Sequence, residues 1–166
     1  MTVNFGDGTT ITSGGSLGKI LQVKHAAADN FSTSSSSYVD VGLNISITPA
    51  STSSFFIITI NGIGSASGND SNQGVFRLVR DSTTVANQKT IADNNNQNGP
   101  AFAVVEGQRE RYPVTTSLKD SPNTTSQVTY KLKLAAPQSQ TAYMGRWGIN
   151  NDWSVFTYMT VFEVSG

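Results

Sequence analysis

The stretch "YMGRWGINNDW" places Tyr143, Trp147 and Trp153 around Asn150, Asn151 and Asp152. Aromatic rings stack on the apolar faces of sugars, and amides pair with their hydroxyls. Tyr143, Trp147, Asn150, Asn151 and Trp153 are therefore candidate glycan contacts. The competing role is packing, because tryptophans also plug the ends of a sandwich or sit in subunit interfaces. A second stretch, "SGGSLGK", has the look of a phosphate-binding loop but not its chemistry. Ser13 stands where the motif needs its first glycine, and Ile20 where it needs the hydroxyl that meets magnesium.

His25 is the only histidine, so the usual two- or three-histidine metal sites cannot form, and a hydrolase triad would need distant partners. It is expected as a strand-end residue. Asp40 should face solvent, Asp93 lies in an asparagine run, and Asp120 is expected in a turn. No local pattern pairs two acids for glycoside cleavage. The absence of cysteine excludes a disulfide framework, a thiolate zinc site and a cysteine nucleophile. The chain therefore reads as a non-enzyme without cofactor or metal.

The elements that would position these residues are strands. Val39, Val41, Leu43, Ile45 and Ile47 alternate with Asp40, Asn44 and Ser46, a period of two that no helix satisfies. Pro49 ends the run. Val128, Tyr130, Leu132 and Leu134 alternate with Lys131 and Lys133 in the same way. "KILQVKH", "SSFFIITING", "VFRLVRD", "AFAVVEG", "YPVTTSLKD" and "WSVFTYMTVFEV" complete the set, with a weak strand around Val85 and Thr90. "DNNNQNGP" is an exposed loop. The expected fold is all-β: an antiparallel, jelly-roll-like β-sandwich of about eight or nine strands.

At 166 residues the chain is the size of one domain. Residues 1–18 are rich in Gly, Ser and Thr and are expected to form an extended arm with at most a short hairpin at Asp7-Gly8. The sandwich follows over residues 19–166. Charged residues are only 13% and the net charge is zero, which gives no footprint for nucleic acid or an anionic membrane. No apolar run reaches the roughly 20 residues of a bilayer span. No signal peptide is evident at the N-terminus.

Two strands are apolar on both sides. Phe55 and Ile57 oppose Phe56, Ile58 and Ile60; Phe156, Tyr158, Phe162 and Val164 oppose Val155, Met159 and Val161. A sandwich strand needs only one dry face. Three exposed large apolar side chains would leave about 4–8 kcal/mol of burial unrealised. A homo-oligomer is expected, with Phe55, Phe56, Ile58, Phe156, Met159 and Phe162 at the interface.

The succession "GKILQV", "FSTSSSSYVDVGLNISITPASTSS", "FRLVRDSTTVA", "SLKDSPNTTSQVTYKLKL" and "YMTVFEV" resembles a β-sandwich module of tailed-bacteriophage virion proteins, frequent in marine and cyanobacterial phages. The resemblance covers most of the chain from Lys19 onward. It implies a homotrimer on the virion surface, in a tail fibre or in a capsid or tail appendage, and carries over no catalytic residue. In long fibres the module follows an extended stalk; here a short Gly-rich arm precedes it. That favours a capsid decoration, knob or head-fibre protein bound to other virion proteins through the arm, with Val3, Phe5 and Ile11 as attachment residues. The alternative is a receptor-binding tail-fibre module that grips host surface glycan. Neither role implies nucleic acid or membrane insertion.

Overall fold

The computed structural model describes residues 2–4, 10–12, 18–67, 73–85, 89–91, 99–106, 111–137, 140–147 and 150–166. Side chains are described for 18–67, 73–85, 101–105, 111–137, 140–146 and 154–166. The elements are all strands: β1 (Thr2–Asn4), β2 (Thr10–Thr12), β3 (Ile20–Ala28), β4 (Phe31–Thr33), β5 (Val39–Ile47) and β6 (Phe55–Ala66). There follow β7 (Gln73–Arg80), β8 (Thr83–Thr84), β9 (Lys89–Ile91), β10 (Gly99–Ala101), β11 (Ala103–Glu106) and β12 (Tyr112–Asp120). β13 (Val128–Ala135), β14 (Ala142–Met144), β15 (Arg146–Trp147), β16 (Asn150–Ser154) and β17 (Thr157–Val164) complete the chain.

Two antiparallel sheets carry the core. One has the order β11-β7-β13-β5, and in the other β17 lies between β3 and β6, with β12 on the far side of β6. β4 and β14 continue the lanes of β3 and β17, since β14 pairs with both β4 and the end of β6. The pairs β3–β17, β5–β13, β6–β12 and β7–β11 are nested, first with last and inward to the middle. One long hairpin folded over on itself gives this order, which is that of a jelly roll.

The alternating strands bury the faces their periodicity predicts. Leu43, Ile47, Tyr130, Leu132 and Leu134 are all at most 1% exposed. Phe56 meets Tyr130 edge to face across the sandwich, at 5.7 Å between ring centroids. β5 carries a bulge at Gly42, whose φ of 83° suits glycine; the Gly42 amide donates to the Asp40 carboxylate, which faces solvent as expected. β1 and β2 pair antiparallel, with Val3 opposite Ile11.

The expected single strand "WSVFTYMTVFEV" is broken after Ser154: Trp153 and Ser154 end β16, and β17 begins at Thr157. β14 and β17 lie end to end beside β6, with the antiparallel pair β15–β16 between them in sequence. Its base closes where the Val155 amide donates to the Gly145 carbonyl at 2.7 Å. Gly145 has a φ of 72°, and a β-carbon there would lie 2.6 Å from the Val155 oxygen, so glycine alone fits the corner.

Candidate functional site

In an antiparallel ladder, residues directly opposite share a face. The register therefore maps the outer face of the β3–β17–β6–β12 sheet row by row. One row runs Val23, Phe162, Ile57, Lys119; the next His25, Thr160, Thr59, Ser117; the third Ala27, Tyr158, Asn61, Thr115. The first row is apolar up to Lys119, whose ammonium lies 4.3 Å from the centre of the Phe55 ring. A lysine stem and a cation–π contact thus cover part of that ring.

The exposed apolar area is concentrated at one side of this face. Ile20, Leu21 and Val23 on β3, Val155 and Phe156 in the joint before β17, and Tyr158 on β17 are 40–55% exposed. Phe156 and Tyr158 lie 6.3 Å apart between centroids. His25 is stacked on Tyr158 at 5.6 Å, and its Nδ1 lies 2.9 Å from the Thr160 hydroxyl. His25 is thus mid-strand, since β3 runs on to Ala28. No carboxylate occurs in the three rows.

The expected interface residues divide by strand parity. Phe56, Ile58 and Met159 are fully buried in the core of the single chain, so they offer nothing to a neighbouring subunit. Phe55 and Phe162 point outward and are half-buried, and Phe156 is exposed. β6 is central, with a strand on each flank, so its outward side chains are shielded by neighbouring rows. The wet apolar area falls instead on β3, which among the described residues pairs only with β17, and on the start of β17 and the residues just before it. Leu21 and Val23, on one side of "KILQVKH" with Ile20 on the other, were a signal for this surface; an edge position is visible only in the folded sheet.

Among the candidate glycan contacts, Tyr143 is 8% exposed within β14, and the Arg146 guanidinium sits 4.3 Å from its ring centre. Its ring is packed and already covered, so it is not a stacking platform for a sugar. Trp147 stands opposite Asn150 in the β15–β16 register, and Asn151 and Trp153 lie on β16. The side chains of Trp147, Asn150, Asn151 and Trp153 lie outside the described residues, as do those of Val3 and Ile11 and the whole of Phe5 and Asp93.

Two buried acids have structural work. Asp120 ends β12 rather than lying in a turn, and it is 8% exposed. Its carboxylate accepts from Arg80 at 2.5 Å and from the Tyr130 hydroxyl at 2.8 Å, which ties the two sheets together. Burial, reinforced by the bond to Asp120, pushes the Tyr130 phenol far above its ordinary pKa. Glu163 is fully buried in the same cross-strand row, on the other side of Phe56 from Asp120, and accepts from the Gln22 side chain and the Ala50 amide. Burial opposes its charge, but these bonds, with Ser54 beside them, prevail and hold the carboxyl below its usual range.

Among the described residues no three His, Asp or Glu side chains come together to hold a metal. No helix of the described residues is long and apolar enough to cross a membrane. No family model matches the chain, and no curated protein matches it. The arrangement that stands out chemically is an uncharged, apolar strip on the outside of one sheet.

Proposed function

We propose that the chain is a non-enzymatic structural protein of a bacteriophage virion, a capsid decoration, knob or head-fibre protein. It works as a homotrimer at the particle surface, attached through residues 1–18. The observation that carries the proposal is the strip Ile20–Val23–Phe156–Tyr158 on the outside of a jelly roll. Such a strip favours a permanent neighbour, because exposed apolar area of this kind otherwise promotes aggregation. The strand–turn motifs resembling phage virion modules support the virion setting, and jelly rolls are a common viral capsid architecture.

The test is gold labelling of phage particles with an antibody against this protein, viewed by electron microscopy. Label on the capsid supports decoration. Label at the tail tip shifts the role toward host recognition by the β15–β16 hairpin. A particle without label overturns the proposal. Deleting residues 1–15 is expected to leave the sandwich folded and to abolish incorporation.

A further inference from the structure

We infer that the β3–β17 strip is the surface through which copies of this chain meet, and that His25 makes this contact sensitive to acid. The inference deepens the structural role proposed above and shares with it the premise that the strip is covered.

The six large side chains that are 40–55% exposed, two of them aromatic, leave on the order of 500 Å² of apolar area strung along the β3–β17 ladder from Ile20 to Phe156. That is at the top of what a monomer exposes, roughly 300–600 Å². It is also most of the roughly 800 Å² that each partner contributes to a standard interface. The charge pattern selects the occupant. The three rows hold no carboxylate, and their only cationic side chains are His25 and Lys119. Lys119 is two strands away from β17 and is held over Phe55. An uncharged face fits another uncharged face, and the same strip on the neighbouring copies, gathered around a three-fold axis, supplies one.

His25 occupies the centre of the strip, between Val23 and Ala27 on its own strand and beside Thr160 and Tyr158 on β17. Lys119 aside, none of the other charged groups nearby lies in these three rows. Lys24 is on the opposite face of β3, opposite Val161. Asp29, just past β3, accepts from the Asn30 amide. Glu163 is turned inward, and Asp40 of β5 lies on the outside of the other sheet. β6 and β12 present Thr59, Asn61, Ser117 and Thr115 to this neighbourhood.

In the free chain a protonated His25 is hydrated and rests on a π face, which attracts a cation. Beneath a second copy the same charge would be desolvated with no carboxylate in its own or the adjoining rows to meet it. Association therefore favours neutral imidazole. It is strongest above the pH at which histidine titrates and weakens below it, by up to tenfold per pH unit for each proton taken up.

The experiment is light scattering of the full chain at about pH 8 and about pH 5, with thermal melting as the fold control. The wild type, His25→Phe and Val23→Asp are compared. The expected result is an oligomer at the higher pH that weakens at least tenfold at the lower, an oligomer at both for His25→Phe, and a folded monomer for Val23→Asp. If Val23→Asp fails to fold, Tyr158→Asp takes its place. An oligomer unaffected by pH overturns the role of His25 but leaves the surface standing. An oligomer that survives both aspartates overturns the surface, and a monomeric wild type overturns the whole inference. The labelling experiment judges the virion role independently of all of these.

Discussion

The outer faces of the two sheets are built by the same rule and end differently. On the β5–β13–β7 side, the residues between the core positions are Asp40, Asn44 and Ser46 against Thr129, Lys131 and Lys133, with Arg77 beyond Lys133. They are polar or charged, and some pair along the surface: the Ser46 and Thr129 hydroxyls lie 2.9 Å apart, and the Arg77 guanidinium lies 3.7 Å from the centre of the Tyr38 ring. On the β3–β17–β6 side the corresponding positions are Val23, Phe162 and Ile57, with His25, Thr160 and Thr59 in the next row. Both sheets bury one face against the other, and the second also carries apolar area on its back. A sandwich folds with one dry face per strand. The extra apolar face is thus surplus to folding, which is why it points to assembly.

The largest effect is expected where the two sheets are joined. Asp120→Ala leaves Arg80 and the buried Tyr130 hydroxyl without their shared acceptor, and should cost about 3–5 kcal/mol in chemical denaturation. Loss of less than about 1 kcal/mol would show that the triad does not hold the sheets. Tyr130 also predicts an alkaline limit. Its folded pKa is raised, so the stability it contributes is complete below about pH 10 and declines as pH rises beyond that. Ultraviolet titration should show one tyrosine ionising only with unfolding.

Next in size is the contrast between the faces themselves. Val23→Asp should weaken self-association at least a hundredfold, about 2.7 kcal/mol, with little change in melting. Ser46→Asp, at an exposed position on the other sheet, should leave association unchanged. Equal effects from the two substitutions would erase the distinction between the faces.

Glu163→Gln should be milder, destabilising by about 1–2 kcal/mol near neutral pH. The folded carboxyl is held below its usual range, so its contribution is complete above about pH 5 and is lost as pH falls through the folded value. Wild type and variant should therefore converge in acid. A stability gap that persists there would assign the effect to packing rather than charge. The smallest effect is expected from Lys119→Ala, which uncovers Phe55 and should cost about 0.5 kcal/mol.

Legibility in the sequence followed how one-sided each strand is. β5 and β13 alternate cleanly, so their buried faces could be assigned residue by residue, and Val41, Leu43, Ile45 and Ile47 are buried as that pattern requires. β6 and β17 are apolar on both sides, and alternation alone cannot say which side is the core. Phe56, Ile58 and Met159 went inward and Phe55 and Phe162 outward because the register with β12 and β3 placed them so. Asp120 was misplaced for a related reason. Its partners Arg80 and Tyr130 are on the opposite sheet, and no local spacing reveals a bond across a sandwich. Tyr143 showed an aromatic ring but not its burial beneath Arg146.

Local chemistry by itself determined that the chain is made of strands, where most of them turn, and which residues of the one-sided strands are buried. Those properties depend on side-chain periodicity and turn residues, which operate over a few positions. Only the tertiary structure decided that the strands nest first with last into a jelly roll, that a hairpin interrupts the final lane at Gly145, and that β3 lies at an edge. Pairing between β3 and β17 joins residues more than a hundred positions apart, and the exposed strip exists because of that pairing.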